Sequence, residues 1–432
     1  MMSALGTTAT VVGLAWLIVL VMVSGLRSPD KQLFTLGLAM RLVGVMAMYA
    51  IIYGFYDGVA DAARYHRVGN EYALRMLGGD FSMFTNPRQW QGGDWWGTQF
   101  LFFAHGVVAL FIGPTRIGGF LVFSLLAFGG LLGFLVAFRR MNPGARSDRY
   151  MAWLFLFPSL WLWPSVIGKD ALALLAFGLV VAGFCRPGRV ALLPLGTGFL
   201  LLFSIRPQVA AVAAGAVMFA QWSARGQRWT FLRVAQTLVL IGVCAALIQV
   251  GFSSVGISEV GMEGVGDYLE ERNRRADLGN SSVEGGVGVA FIPVAIVNTL
   301  FRPFPWEASN PMVLGSSIEI WGMWILLLYR WRDLWAGLRG WRSNRLVGMA
   351  LPFVLVYSAA FGMAVLNLGI IARQRIFLFP FLFAIVETGA AINAARRAAR
   401  PARPAAARVR RAPWPAPADR LPAPATPPGL TR

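Results

Sequence analysis

Charge is what this sequence has least of. Only 14% of its 432 residues are Asp, Glu, Lys or Arg, while 57% are hydrophobic. A soluble domain carries about 25% charged residues, so a soluble globular fold is excluded. Cysteine is nearly absent: Cys185 and Cys244 stand alone inside apolar runs, which excludes a disulfide framework and leaves two packing residues. Histidine is limited to His66 and His105, too few for a histidine-built metal centre. Lysine occurs only as Lys31 and Lys169, so almost every cation is arginine and Lys169 stands out. Met1 to Thr10 lacks a cationic start, so the apolar run Ala9 to Leu26 reads as a retained helix and not a cleaved signal.

What the chain has in abundance is hydrocarbon. Its mean hydropathy is +0.60, and apolar runs long enough, or almost long enough, to cross about 30 Å of bilayer recur along its length. The expected fold is all-α, a polytopic transmembrane helix bundle. The net charge of +19 sits in short loops and a Pro/Ala-rich tail. That distribution orients a membrane protein and excludes a nucleic-acid partner.

Arginine-rich loops then fix sidedness. The loops RSPDKQ, RRMNPGARSDR, CRPGR, ARGQRWTFLR and YRWRDLWAGLRGWRSNR belong in the cytoplasm. With those loops inside, about 11 spans (11–13) result, N-terminus out and C-terminus cytoplasmic, in the inner membrane of a bacterium. Residues 1–393 form the bundle, with two long outer loops, 55–112 and 253–311, that carry interfacial helices. Residues 394–432 read as a disordered basic tail able to touch anionic lipid. Two short apolar segments, Thr98 to Gly113 and Val289 to Phe301, are expected to dip without crossing; a helical hairpin turning between Gly113 and Ile117 is the alternative.

The polar stretch Tyr53 to Gly97 is the most charged part of the chain before Arg139. Helical spacing would place Asp57, Asp61, Arg64 and Tyr65 on one face. The topology sets these residues on the same side as Lys169, Asp170, Arg206, Arg373 and Arg375. Arginines on the outer side oppose the orientation rule and call for a reason, and guanidinium forks grip phosphate oxygens while a carboxylate serves as base. The spans read as dry at mid-depth apart from Arg41 and Gln249, which favours a one-faced enzyme over a transporter. Trp306-Glu307 reads as a rigid interfacial turn or as an aromatic sugar platform beside an acid.

Three short motifs, ADAARYH (60–66), FPSLWLWPSVIGKDA (157–171) and IRPQ (205–208), resemble the pattern of bacterial multi-pass glycan-assembly enzymes: the type C glycosyltransferases and the exopolysaccharide or O-antigen polymerases. The resemblance covers about residues 50 to 225. It implies a sugar transferred from a polyprenyl-phosphate-linked donor at the outer face of the cytoplasmic membrane, with a lipid-linked sugar donor, a glycan acceptor and membrane lipid as partners. Asp61 would match the first-loop catalytic carboxylate, with Asp57 in reserve. Asp170 would match the second acidic position and Arg206 a later cation. Tyr65, His66, Lys169, Arg373 and Arg375 complete the expected substrate site. No protein-held metal is expected, although a hydrated Mg²⁺ between an aspartate and a diphosphate would fit. An extra N-terminal span and the lack of a paired carboxylate motif depart from the pattern. A transporter of lipid-linked glycan or small solutes, or a non-catalytic export-complex subunit, are the alternatives.

Overall fold

The computed structural model describes residues 28–224, 289–308, 311–364 and 368–399. Every regular element among them is helical. The expectations for Ala9 to Leu26, for Gln249 and for the acidic segment 253–288 fall outside these residues. The chain divides into two compact units, 1–393 and 394–432, and the first holds every contact described below.

Helix α1 (Ser28–Ala50) runs into a short π-helical turn, Ile51–Phe55. The polar stretch Tyr53 to Gly97 contributes α2 (Asp61–Leu77) and the single turn α3 (Ser82–Thr85). Helices α4 (Thr98–Ile112) and α5 (Arg116–Met141) follow. The FPSLWLWP segment breaks at Pro158, whose ring cannot continue a helix, giving α6 (Asp148–Leu156) and α7 (Pro158–Leu162). Next come α8 (Lys169–Phe184), α9 (Leu192–Ile205) and α10 (Pro207–Ser223). The later half supplies α11 (Ile292–Phe301), α12 (Pro311–Tyr329), α13 (Trp331–Arg339), α14 (Arg345–Ala364), α15 (Leu368–Gln374) and α16 (Phe379–Ala398).

The protein is thus an α-helical membrane protein with several potential crossings. Among the described residues four helical segments, 30–55, 116–141, 311–329 and 345–363, are long and apolar enough to cross a bilayer. The pair 368–377 and 379–398, bent by 48°, makes a fifth if counted as one span. The expected count of about eleven includes Ala9 to Leu26 and Phe231 to Phe252, which lie outside the described residues, and several of the helices between fall short of a span for a physical reason. Helices α8, α9 and α10 hold 16, 14 and 17 residues; at about 1.5 Å per residue they are shorter than about 30 Å of hydrocarbon. Helices α4 and α11, with 15 and 10 residues, are likewise too short.

In a bilayer, where lipid is as apolar as leucine, close packing holds helices together. α5 and α8 pack closely: a Cβ on Gly178 would lie 2.1 Å from the Gly130 carbonyl oxygen, so the two backbones touch. α2 packs on α4, α1 on α6, and α14 against α10 and α11. The core between them is rich in phenylalanine. Phe177 meets Phe353 and Phe377 at ring-centroid distances of 5.0 and 5.5 Å, and Phe353 meets Phe381 at 4.9 Å. These edge-to-face and tilted contacts suit the ring quadrupole.

The apolar helices carry more ionisable groups than the sequence reading held. Besides Arg41, buried at 1% exposure, Glu319 lies in α12 and Glu387 in α16. Both carboxylates have partners. Glu319 accepts from the Ser159 N–H at 2.7 Å and from the Ser159 hydroxyl. Glu387 accepts from Arg330 and from the Trp153 Nε1–H at 3.0 Å.

Candidate functional site

The site is built where helices end. After the positive-φ turn at Asp57 (φ 47°) and Gly58, the chain extends at Ala60 and α2 begins at Asp61, a carboxylate in the first turn where the helix dipole favours it. Residues at three- and four-residue spacing, Ala62, Tyr65, Val68, Gly69, Tyr72 and Met76, face inward. Asp61, Arg64 and Arg67 stay on the outer face. At α8 the extended Gly168 hands over to Lys169 and Asp170, again placing an acid in a first turn. Between α9 and α10, Pro207 forces a break and Arg206 sits in it with φ −148° and ψ 80°. α15 ends on Arg373-Gln374, a cation in its last turn.

These ends meet at Asp170, which is 1% exposed. Its Oδ1 accepts from Arg206 Nη2 at 2.7 Å and from Gln374 Nε2 at 3.3 Å, and its Oδ2 accepts from Arg373 Nε. The Tyr357 hydroxyl in turn donates to Gln374 Oε1 at 3.3 Å. A buried carboxylate costs several kcal/mol to desolvate unless it is paired and hydrogen-bonded. Here two guanidiniums and an amide satisfy it. Both guanidiniums keep partial access to the outside, at 17% for Arg206 and 33% for Arg373, and Arg206 rests over the Phe377 ring at 5.7 Å.

Asp61, Tyr65 and Lys169 complete the cluster. The Asp61 charge is felt at Tyr65, Lys169 and Arg373. Burial, then the Asp61 charge, push the Tyr65 hydroxyl up to about 12. Burial, then Arg206, push the Lys169 ammonium down to about 8. Lys169 therefore titrates near neutrality, beside two permanent cations. Three cations against two carboxylates leave the cluster with one net positive charge. The wall over Lys169 is Gly97, whose N–H donates to the Ser204 carbonyl at 2.7 Å. Its φ of 68° and ψ of −113° suit glycine alone, and a Cβ there would come 3.6 Å from Lys169 Nζ.

Of the residues singled out from sequence, Asp61, Tyr65, Lys169, Asp170, Arg206 and Arg373 are thus brought together. Three are not. Asp57 cannot share a helical face with Asp61, because the helix starts only at Asp61; Asp57 is exposed in the preceding turn. His66 is buried at 8% exposure and faces His105, with ring centroids 5.5 Å apart, and Asn70. Burial, then Arg116, push its imidazole down to about 4. Arg375 is 2% exposed and has Glu319, not Asp170, as its electrostatic partner. Gln374 and Tyr357 were missed. Gln374 had a signal, its place inside ARQR, but Tyr357 lies in an apolar run that offers none.

The Trp306-Glu307 segment is a rigid turn. Glu307 accepts from the Phe304 N–H at 2.9 Å and pairs with Arg302, while Phe304 stacks on Trp306 with centroids 4.9 Å apart. Among the described residues no group of three or more His, Cys, Asp or Glu side chains is placed to hold a metal ion. No protein-family model matches the chain, and no curated protein or solved structure matches it.

Proposed function

We propose that this protein is a membrane glycosyltransferase or polysaccharide polymerase that uses a polyprenyl-phosphate-linked sugar donor at the outer face of the cytoplasmic membrane. One observation carries the reading: the charge of an exposed carboxylate, Asp61, is felt at Lys169 and Arg373, and Arg373 shares Asp170 with Arg206, so four helix ends gather a free carboxylate and three cations. A base next to a cluster of cations is the arrangement that sugar transfer from a phosphate requires. In this reading α6 with α7 and the short helices α8, α9 and α10 also cross, and together with Ala9 to Leu26 and Phe231 to Phe252 they bring the total to about eleven spans, with the N-terminus out and the C-terminus cytoplasmic.

The acceptor hydroxyl oxygen attacks the anomeric carbon of the donor sugar. The bond from that carbon to the phosphate oxygen breaks, its electron pair stays on the phosphate, and Asp61 takes the hydroxyl proton. The transition state has oxocarbenium character. Arg373, Arg206 and Lys169 stabilise the departing phosphate, and guanidiniums already held in place need no reorganisation as charge develops. Asp170 has both carboxylate oxygens engaged, so its part is to position the two arginines and not to move a proton. Tyr65, buried against Phe102 and within reach of the charges of Asp61, Arg373 and Arg206, shapes the donor pocket.

A transporter of lipid-linked glycan is the second reading. It is favoured by ionisable groups set within or against membrane-length helices, namely the buried Arg41 and the half-buried Glu319, which faces the buried Arg375. Purified protein in proteoliposomes, offered a panel of polyprenyl-phosphate and polyprenyl-diphosphate sugars, separates the two. Sugar transfer to an added glycan supports the enzyme. Movement of the intact lipid-linked sugar between leaflets, with no transfer from any donor, supports the transporter.

A further inference from the structure

Helix α13 joins α12 to α14, two helices long and apolar enough to cross a bilayer, so it lies at the membrane surface where those two emerge together. It is amphipathic, and its inner side is seated by close approach. A Cβ on Gly337 would lie 2.0 Å from the Ile385 carbonyl oxygen, and one on Gly389 would lie 1.8 Å from the Asp333 carbonyl oxygen, so α13 presses backbone to backbone against α16. What remains outside is cationic and aromatic. Trp331 is 57% and Trp335 50% exposed, and Arg332, Arg339, Arg342 and Arg345 are exposed as well.

Each of the first three arginines lies over an indole: Arg332 over Trp331 at 5.7 Å, Arg339 over Trp335 at 4.8 Å, and Arg342 over Trp341 at 4.8 Å. Tryptophan settles at the headgroup level of a bilayer. A guanidinium held against it by cation–π attraction is therefore fixed at that same depth, and does not reach freely into water. The helix's one carboxylate is already neutralised. Asp333 accepts from Arg330 Nη2 at 3.0 Å and from Asn393 Nδ2 at 2.9 Å. The face thus offers several guanidiniums with no opposing acid among the described residues, at the height of lipid phosphates.

We propose that α13 and the turn after it form a binding surface for anionic phospholipid headgroups, with Arg332, Arg339 and Arg342 as the phosphate contacts and Trp331, Trp335 and Trp341 as the supports that hold them there. An anionic lipid is favoured over a protein partner because the surface combines bilayer-seeking indoles with unopposed positive charge, and its height is set by the two helices it joins. Each arginine near an anionic surface strengthens association by about fivefold.

The test uses the full-length protein in nanodiscs of phosphatidylcholine containing a minority of phosphatidylglycerol, with the lipid in contact with the protein read by spin-labelled analogues of each. Wild type should select phosphatidylglycerol. The R332Q/R339Q/R342Q variant should lower that selectivity by about tenfold or more, and R339Q alone by less, both with unchanged melting in phosphatidylcholine discs. R186Q/R189Q, which removes two exposed arginines from the loop between α8 and α9, should leave most of it. Unchanged selectivity in the triple variant, or an equal loss in R186Q/R189Q, would overturn the proposal, since the first removes the contacts and the second makes any arginine equivalent.

Discussion

Asp170 and Asp61 are both acids in the first turn of a helix, yet their surroundings give them opposite work. Asp170 is buried with two guanidiniums bound to it. Replacing it with asparagine leaves Arg206 and Arg373 short of a counter-charge in a largely buried place. We expect Asp170→Asn to cost about 3–5 kcal/mol of stability, read as a lower melting temperature in detergent, whereas the exposed Asp61→Asn should change stability by within about 0.5 kcal/mol. Lys169 makes a separate prediction. Its ammonium is held down to about 8 by burial and Arg206, so it is charged below that pH and neutral above it. Affinity for a phosphate-bearing donor should therefore fall as pH rises through about 8. In Lys169→Met, a donor-binding titration across that range should lose the step; a step that persists would assign it to another group.

At the scale of the element, helix ends explain both what sequence reading found and what it lost. The proline after Arg206 and the Lys-Asp pair opening α8 are visible in one dimension, because a ring that cannot continue a helix and an acid that favours a helix start act locally. The assignment of Arg375 failed on geometry. Residues two apart on a helical turn point to nearly opposite sides, so Arg373 reaches Asp170 while Arg375 answers to Glu319. Asp57 was lost to a left-handed turn that no periodicity reveals. The link from Tyr357 through Gln374 to Asp170 joins residues far apart in sequence by hydrogen bonds alone. Gly97 marks the opposite case, a position whose backbone demands glycine. Gly97→Ala should cost about 1–3 kcal/mol through strain at this φ, and a melting temperature equal to wild type would show that the segment reshapes freely around Lys169.

At the scale of the molecule, composition alone announced a membrane protein and an all-helical one, because hydrocarbon tolerates few other folds. The number of crossings was less legible, since helices of 14 to 17 residues fall between a span and a buried core element. Sidedness was read from arginine placement and has its own test. In a background without Cys185 and Cys244, single cysteines at Arg67 and Ser343, both exposed, should react with an impermeant maleimide from opposite sides of the membrane. Labelling of both from the same side would overturn the proposed topology.

The central proposal, that Asp61 takes the acceptor proton while Lys169, Arg206 and Arg373 hold the departing phosphate, is met most directly by one measurement. Wild-type and Asp61→Asn protein, purified and matched for folding, are compared for sugar transfer from lipid-linked donors and, in parallel, for donor binding. Transfer by wild type that falls at least about a hundredfold in the variant, with donor affinity retained, is the predicted result. Equal transfer by the two proteins would contradict it.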